Sequence, residues 1–319
     1  MDKQNTETVA VVFSSSDYYS LLLGIVICSI FENKKGDYPI HIFIIDNGIS
    51  IQNKTRLQTL ESRYGFTLTY VTLDKELFSG ISFNNFPIEV YQRLGIARIL
   101  PPSYDRVVYL DCDMIVRKDL KELLLIDLGG KTVGAVADCY QEQRLKHLKR
   151  LCASIPSLPT PAKPMYFNSG MLVIDLNRWK DHGIEEKVLR FLRENPDKIS
   201  AADQDALNII FLNDQKELSQ KYNFLVAATD TTEQDPVIIH FAGGSKPWYF
   251  FSALPYQSEY VYYANKTPWK SKKYRKVMDI FFAKKYHIYS VVWTAWSTYK
   301  KIKHFILRTS PPPSFLPNE

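Results

Sequence analysis

The sequence predicts an α/β fold: a Rossmann-like, mostly parallel sheet flanked by helices on both faces. Two observations predict it. Short, β-rich apolar runs alternate along the chain with longer segments of helical pattern, and such alternation is typical of doubly wound sheets. The runs are continuously apolar rather than alternating, as expected for strands buried on both faces.

The predicted strands follow one another along most of the chain, at 8–13, 41–45, 67–71, 106–110, 133–137, 171–174 and 237–240. Helical segments are predicted up to residue 32 and over about 50–64. Three strands are followed by polar clusters, at 14–17, 111–113 and 240–246. Because ligands bind at the carboxyl ends of strands in such sheets, these clusters are the first candidates for a site.

The composition fits a globular chain. Of 319 residues, 45% are hydrophobic and 23% are charged, which excludes a disordered, collagen-like or coiled-coil protein. None of the four cysteines is spaced C-x-x-C from another. We therefore expect neither a disulfide framework nor a zinc–thiolate site, and a reduced, cytosolic compartment.

Targeting signals are not apparent in the sequence. The first eight residues are polar and include two acids, unlike a secretory signal. No uninterrupted apolar window reaches the roughly 18–20 residues of a membrane span. The apolar stretch 21–31 is expected to be a buried helix.

The positive charge lies in the C-terminal segment. Residues 266–319 hold twelve Lys/Arg and two acids, a net of +10, whereas residues 1–265 hold 28 bases and 32 acids, a net of −4. We expect a main domain over 1–265 and a separate basic segment over 266–319. The basicity gives no support for nucleic-acid binding by the main domain.

The basic segment interleaves cations with aromatic residues such as Trp269, Tyr274 and Trp296. Helical spacing places many of its apolar residues near one stripe, which predicts an amphipathic helix at an anionic membrane surface. Two alternatives remain open: a nucleic-acid surface, although no RNA or DNA module surrounds it, and a helix packed on the main domain.

Two carboxylates follow a predicted strand directly. Asp111 and Asp113 flank Cys112, and on extended backbone the two acids share a side while Cys112 turns inward. Paired carboxylate oxygens at a strand end suit Mg²⁺ or Mn²⁺ bridging a diphosphate. The alternative is chance, since D-x-D is short. The chain has neither G-x-G-x-x-G nor G-x-x-x-x-G-K-[ST], so any nucleotide must be held differently.

A second cluster begins at His240. This histidine could supply a third ligand, which would favour Mn²⁺. Gly243 and Gly244 would let backbone N–H groups approach a phosphate that Lys246 neutralises. Taken singly, a structural histidine and a loop lysine are the simpler interpretation.

Further polar residues have plain structural explanations. Asp203, Gln204 and Asp205 open a predicted helix, where acids suit the dipole. Residues 168–170 are a turn by default, or a contact for sugar hydroxyls. Four prolines within 156–164 predict a loop, placed to cover a site.

In this order, six segments resemble the family 8 glycosyltransferases, with the closest likeness to bacterial lipooligosaccharide α-galactosyltransferases. They span roughly residues 9–250 and read Val-Phe-Ser-Ser-Ser-Asp-Tyr (12–18), Tyr-Gln-Arg-Leu (91–94), Tyr-Leu-Asp-Cys-Asp (109–113), Tyr-Phe-Asn-Ser-Gly (166–170), Asp-Gln-Asp-Ala-Leu-Asn (203–208) and His-Phe-Ala-Gly-Gly-Ser-Lys-Pro-Trp (240–248). The resemblance implies a GT-A fold and retaining transfer from a UDP-sugar. One departure is the uridine loop at 14–18, where that family usually carries Ala-Ala-Asp-Asp-Asn.

The resemblance also implies residue roles. The implied Mn²⁺ ligands are Asp111, Asp113 and His240. The implied nucleotide and diphosphate contacts are Ser14, Ser16, Asp17, Arg93, Cys112, Gly243 and Lys246. The implied donor-sugar contacts are Asp138, Asn168, Asp203 and Gln204, with Gln204 beneath the reacting carbon. By its chemistry, Gln204 is a poor nucleophile, whereas Asp205 is a candidate nucleophile.

The function expected from this resemblance is Mn²⁺-dependent (Mg²⁺ being possible), retaining transfer of galactose or glucose from a UDP-sugar to a saccharide acceptor, the core oligosaccharide of a lipooligosaccharide or lipopolysaccharide. We expect the protein at the inner face of the bacterial cytoplasmic membrane and expect no nucleic-acid partner. The alternatives are a catalytically idle glycan- or nucleotide-sugar-binding protein and a metal-dependent nucleotidyltransferase. Attack on the same face as the leaving group is favoured over double displacement through Asp205.

Overall fold

The computed structural model describes residues 8–83, 86–155, 165–227, 233, 235–249, 252 and 254–269. The proline-rich loop predicted over 156–164 and the amphipathic helix predicted beyond residue 269 lie outside the described residues.

The strands and helices of the described residues follow the predicted alternation. The strands are β1 (Val9–Ser16), β2 (Ile40–Asn47), β3 (Thr67–Val71), β4 (Arg106–Leu110), β5 (Met114–Val116), β6 (Val133–Ala137), β7 (Phe167–Asp175), β8 (Gln215–Leu218), β9 (Phe224–Leu225) and β10 (Ile238–His240). The α-helices are α1 (Ser20–Asn33), α2 (Ile51–Tyr64), α3 (Ile88–Tyr91), α4 (Ile96–Ile99), α5 (Lys121–Leu125), α6 (Gln141–Ala153), α7 (Leu176–Asp181), α8 (Ile184–Glu194), α9 (Ala202–Ile210) and α10 (Gln257–Lys266). Turns of 3-10 helix lie at Asp17–Tyr19, Lys75–Phe78, Gln92–Gly95, Pro196–Lys198 and Gln220–Tyr222.

The central sheet has seven strands in the order β3-β2-β1-β4-β7-β6-β8. Strands β3, β2, β1 and β4 pair in parallel with one another, and β6 pairs in parallel with β8. Strand β7, which contains the predicted strand 171–174, runs antiparallel to both β4 and β6. The predicted fold class, a mostly parallel sheet flanked by helices, is confirmed.

The sheet is buried on both faces, as its continuous apolar runs predict. Ala10 and Val12 of β1 face one apolar cluster, and Val11 and Phe13 face the other. All four are fully buried. Helices α8 and α9 pack in the first cluster and α1 in the second.

The predicted strand at 237–240 is present but lies outside the central sheet. β10 pairs antiparallel with β5 and parallel with β9 in a separate three-stranded sheet. The chain bends at 111–113 between β4 and β5, and β5 then pairs so that His240 lies opposite Met114. This small sheet brings residue 240 beside Asp113.

The end of the described chain is part of the domain. Helix α10 crosses the boundary expected at residue 265. Trp269, which we counted with the aromatic residues of the basic segment, is 3% exposed. Its Nε1 donates to Asn53 Oδ1 at 3.0 Å, and its ring packs against Gly24. Within the part of the chain described here, no helix has the length and apolarity needed to cross a membrane.

Candidate active site

Two aspartates and a histidine converge where β4 ends. Asp111, Asp113 and His240 each offer a ligand atom within 4.8 Å of the others. His240 Nε2 lies 3.2 Å from Asp113 Oδ1 and 4.0 Å from Asp111 Oδ2. Two carboxylates and an imidazole are a donor set that fits Mn²⁺.

The site depends on close packing at the start of β7. A Cβ at Gly170 would lie 2.7 Å from Asp111 Oδ2 and closer still to His240 Cε1. Only glycine leaves room for both side chains. The backbone also helps, because the Asp111 N–H donates to Gly170 O at 2.8 Å. Residues 168–170 are therefore strand residues that shape the site, and not the turn expected by default.

Cys112 turns inward, as the alternation of extended backbone predicts. It is 7% exposed, and its Sγ lies 3.4 Å from the backbone oxygen of Ser14. Burial raises the pKa of its thiol, as do the carboxylates of Asp111 and Asp113. The side chain packs beneath the carboxylates and offers no thiolate to a metal.

Arg93 is buried behind the aspartates, with 3% exposure. Its guanidinium contacts Asp111 Oδ1 at 3.2 Å and Asp203 Oδ2 at 3.0 Å, and also donates to the backbone oxygens of Val90 and Ser169. Burial alone would lower the pKa of Arg93, but the two carboxylates raise it. Arg93 thus bridges Asp111, a candidate metal ligand, and Asp203, a candidate sugar-binding residue.

Lys246 lies beside Asp113. Its Nζ donates to Asp113 Oδ2 and to the Phe241 backbone oxygen, both at 2.6 Å. Although burial raises the pKa of Asp113, Lys246 and His240 together hold it far below its ordinary value. Gly243, in the same loop, has a positive φ of 87°, a conformation that suits glycine.

Three of the four candidate donor-sugar residues form one buried network: Asp138, Asn168 and Gln204. Gln204 Oε1 accepts from the Ser169 N–H at 3.0 Å, and its Nε2 donates to Asp138 Oδ2 at 3.2 Å. Asn168 Nδ2 lies 3.3 Å from both Asp138 Oδ2 and Gln204 Oε1. The amide groups are thereby fixed in orientation.

Asp203 is a buried carboxyl group of the site whose pKa is raised, in contrast to that of Asp113. Burial raises its pKa to about 7. Arg93 lowers this pKa and the neighbouring Asp111 carboxylate raises it. A carboxyl group that titrates near neutrality beside a candidate metal site is typical of a functional position.

Asp205 is held differently. One oxygen accepts from Tyr166 Oη at 2.5 Å, and the other accepts from the N–H groups of Ser200 and Ala201 at 2.6 and 2.8 Å. His147 Nε2 lies 3.1 Å from it. Burial raises the pKa of Asp205, but these hydrogen bonds outweigh burial and hold the pKa below its usual value. Asp205 thus stabilises the loop that leads into α9.

The end of β1 carries the candidate nucleotide residues. Ser14 Oγ donates to Gln92 Oε1 at 2.9 Å, and Gln92 Nε2 donates to Asn47 Oδ1 at 2.6 Å. Ser16 is half-buried. Asp17 is exposed, and its carboxylate accepts from the Ser50 N–H at 2.8 Å at the start of α2.

Sequence reasoning missed several side chains of the site. Asn223 contacts His240, Tyr109 donates to Asp111, and Gln92 joins Asn47 under the end of β1. Asn47 follows the predicted strand 41–45 at the same sheet edge as Ser14, so the carboxyl-end rule could have found it. Asn223 lies in no recognisable motif.

The model of the family described as "Glycosyl transferase family 8" matches residues 10–251 of the chain. General stress protein A of Bacillus subtilis is 30% identical over 83% of this chain and 96% of its own length. A lipopolysaccharide 1,2-glucosyltransferase of Escherichia coli is 27% identical over 85% of this chain and 82% of its own.

A solved structure has the same fold. The galactosyltransferase LgtC, determined in complex with donor and acceptor sugar analogs, superposes with a TM-score of 0.72 over 84% of this chain and 99% of its own, at 24% identity. This likeness confirms the fold class that the sequence resemblance implied.

Proposed function

Because the chain belongs to glycosyl transferase family 8, we propose that it is a metal-dependent, retaining hexosyltransferase. Its donor is a UDP-sugar and its acceptor is the saccharide of a glycolipid of the lipopolysaccharide type. The observation that carries the proposal is the junction at Asn168. This side chain bonds the network of Asp138 and Gln204 on one side and contacts Asn223, the partner of His240, on the other. The proposed cation site and the proposed sugar site thus adjoin.

The cation would be held by Asp111, Asp113 and His240, which fit Mn²⁺ by number and type of donor. When bound, it supplies positive charge to a leaving diphosphate. Lys246 can add its own charge on the same side, because its ammonium group already lies beside Asp113. Such stabilisation acts where charge develops as the donor's glycosidic bond breaks. Departure of the diphosphate then needs no general acid, unlike glycoside hydrolysis.

The donor sugar would be oriented by Asp138, Asn168 and Gln204. Their amide and carboxylate groups are buried and mutually bonded, so little ordering is needed when a sugar hydroxyl replaces one of these bonds. Asp203, on the other side of Arg93, has the raised pKa of a carboxyl group that can donate or accept from a hydroxyl near neutral pH.

Retention is proposed to proceed by attack on the same face as the leaving group, with a phosphate oxygen of the departing diphosphate accepting the acceptor's proton. Gln204 is a poor nucleophile. Asp205 has nucleophile chemistry, but both of its oxygens already accept hydrogen bonds. If Asp205 turned toward a sugar, its carboxylate would lose these hydrogen bonds.

A mass measurement distinguishes the two routes. We expect protein incubated with donor alone to carry no hexose on the peptide that contains residue 205. Asp205→Asn should lower the melting temperature while leaving measurable transfer. A hexose adduct at residue 205 would contradict same-face attack.

The donor hexose is proposed as galactose or glucose, because the compared proteins include a glucosyltransferase and a galactosyltransferase. The experiment is UDP release from UDP-galactose and UDP-glucose, with and without Mn²⁺ and a lipopolysaccharide core acceptor. Asp111→Asn is the matched control. We expect release only with Mn²⁺, in the wild type. Tight UDP binding without release would instead favour a catalytically idle nucleotide-sugar-binding protein.

The proposed location is the inner face of the cytoplasmic membrane, where a lipid-linked acceptor lies. Its support is the charge of residues 266–319, a net of +10 by sequence. Each basic residue near an anionic leaflet contributes about 1 kcal/mol. A segment of this charge can hold the protein there reversibly.

A further inference from the structure

Asn223 lies behind the imidazole of His240, on the side away from the aspartates. It follows the 3-10 turn Gln220–Tyr222 and is 1% exposed. Its Oδ1 lies 3.0 Å from His240 Nδ1, and its Nδ2 donates to Asn168 Oδ1 at 3.0 Å. Both polar ends of this side chain are therefore used.

The direction of these hydrogen bonds follows from a backbone group. The Gly170 N–H is a fixed donor, and it lies 3.0 Å from the Asn168 side chain. The atom that it meets must be the Asn168 oxygen. The other end of that amide then faces Asp138 Oδ2 at 3.3 Å, an atom that accepts. Two independent partners thus give Asn168 the same orientation.

The orientation of the Asn168 amide determines that of Asn223, and the Asn223 amide in turn determines which ring nitrogen of His240 carries a proton. Because Asn168 presents its oxygen, Asn223 must present its NH₂ group there and its own oxygen to His240. An amide oxygen facing Nδ1 requires the proton on Nδ1. In the neutral ring the lone pair then lies on Nε2, the nitrogen that faces Asp113 Oδ1 at 3.2 Å.

We propose that Asn223 is a positioning residue of this metal centre, which holds His240 in the Nδ1-protonated tautomer with its Nε2 lone pair directed at the cation. The inference rests on the proposed function, since it assumes a cation on Asp111, Asp113 and His240. It extends the ligand set by a partner that fixes the ring. Such partners of a metal-bound histidine typically contribute 10–100-fold in metal affinity.

The hydrogen-bonded amides of Asn168 and Asn223 also connect the proposed cation site with the proposed sugar site. Asn168 Nδ2 lies within hydrogen-bonding distance of Asp138 and Gln204, and Asn168 Oδ1 fixes Asn223. The ring that would hold the cation and the side chains that would hold the sugar are thus oriented by one amide group.

The test compares two substitutions. Asn223→Leu keeps a similar size but cannot accept from Nδ1–H, whereas Asn223→Asp keeps an acceptor there. Binding of Mn²⁺ alone is followed by the EPR signal of free Mn²⁺. We expect Asn223→Leu to weaken binding by about 10–100-fold, and Asn223→Asp to recover most of that loss. Thr132→Val is the control, because Thr132 is also buried and bonded to Asp214, but outside the site.

A second measurement does not need the metal. The ¹⁵N spectrum of metal-free, histidine-labelled protein distinguishes the ring tautomers, and His240→Gln assigns the signal among the six histidines. We expect Nδ1 of His240 to carry a proton in the wild type, alone or together with an Nε2 proton that Asp113 accepts while no cation is bound, and we expect Nδ1 to lose this proton preference in Asn223→Leu. Unchanged Mn²⁺ affinity in Asn223→Leu, an equal loss in Thr132→Val, or a wild-type ring protonated on Nε2 and not on Nδ1 would each overturn the inference. Failure of the wild type to bind Mn²⁺, with the expected tautomer present, would instead overturn the proposed function.

Discussion

The ammonium group of Lys246 lies 2.6 Å from Asp113 Oδ2, on the carboxylate whose other oxygen faces His240 Nε2. The pairing of β10 with β5 creates this contact, because Asp113 immediately precedes β5 and Lys246 lies in the loop after β10. A carboxylate flanked by an ammonium group and an imidazole stays ionised well below neutral pH. We therefore expect this lysine to contact an anion when a cation takes its place at Asp113.

The first prediction concerns that lysine. Lys246→Met removes a positive charge from the proposed diphosphate side and leaves the three proposed ligands in place. We expect the turnover number for UDP release to fall by about 10²–10³-fold, the usual loss for one group that stabilises developing negative charge. Mn²⁺ binding should persist. Turnover within twofold of the wild type would show that Lys246 does not contact the leaving group.

Removal of the cation is the second prediction. EDTA should abolish UDP release, and Mn²⁺ should restore it, because the donor set of Asp111, Asp113 and His240 suits this ion. Asp113→Asn should not recover at millimolar Mn²⁺. Ca²⁺ serves as the control, since imidazole is a poor ligand for it. Full activity in EDTA would contradict the proposed metal dependence.

The central sheet was predictable because burial on both faces leaves a local signal. The predicted strands 8–13, 41–45 and 106–110 all lie in it as continuous apolar runs. The candidate cluster of Asp111 and Asp113 was predictable for the same reason, since each follows a readable strand end. Their position required only the rule that polar residues gather at carboxyl ends.

The second sheet was not predictable in the same way. β9 has two residues and β10 has three, too few for periodicity to indicate their partners. The role of Asn223 is invisible because it depends on contacts 17 and 55 residues away along the chain. The need for glycine at 170 is likewise a property of the packed site, set by His240.

The third prediction tests that packing. Gly170→Ala places a methyl group against Asp111 and His240, and overpacking of this kind typically costs about 1–3 kcal/mol. We expect Mn²⁺ binding to weaken at least tenfold. Gly134→Ala is the matched control. Gly134 lies in β6, outside the site, and a Cβ there would lie 2.8 Å from the Leu128 side chain. It should lower the melting temperature without changing Mn²⁺ affinity. An equal loss of Mn²⁺ affinity in both variants would contradict the local explanation.

The fourth prediction concerns pH. Burial raises the pKa of Asp203 to about 7, whereas in the unfolded chain the same group ionises near pH 4. Between these values the folded state keeps a proton that the unfolded state has released. The contribution of Asp203 to the free energy of unfolding therefore falls as pH rises from about 4 to 7, and is constant above that range.

Asp203→Asn removes this dependence. We expect the free energy of unfolding of the wild type, relative to Asp203→Asn, to fall by more than about 1 kcal/mol between pH 4.5 and 7.5. Urea denaturation of metal-free protein at the two pH values measures it, and taking the difference cancels the other titrating groups. A difference that is independent of pH, or that grows with pH, would show that Asp203 is ionised throughout.

The last prediction concerns the basic segment, and Trp269 decides where to cut it. Truncation after Asn265 would remove this buried ring from beside Gly24 and Asn53, and loss of a buried tryptophan typically costs about 3–5 kcal/mol. Truncation after Trp269 keeps the ring and removes eleven of the twelve basic residues of 266–319.

We expect truncation after Trp269 to keep the melting temperature of the full chain and to lose sedimentation with anionic vesicles. The full chain should sediment with these vesicles at low salt and be released at high salt, because surface attraction is screened within a Debye length. Zwitterionic vesicles are the control and should retain neither protein. Sedimentation of the truncated chain with anionic vesicles equal to that of the full chain would show that the main domain, and not the basic segment, binds the membrane.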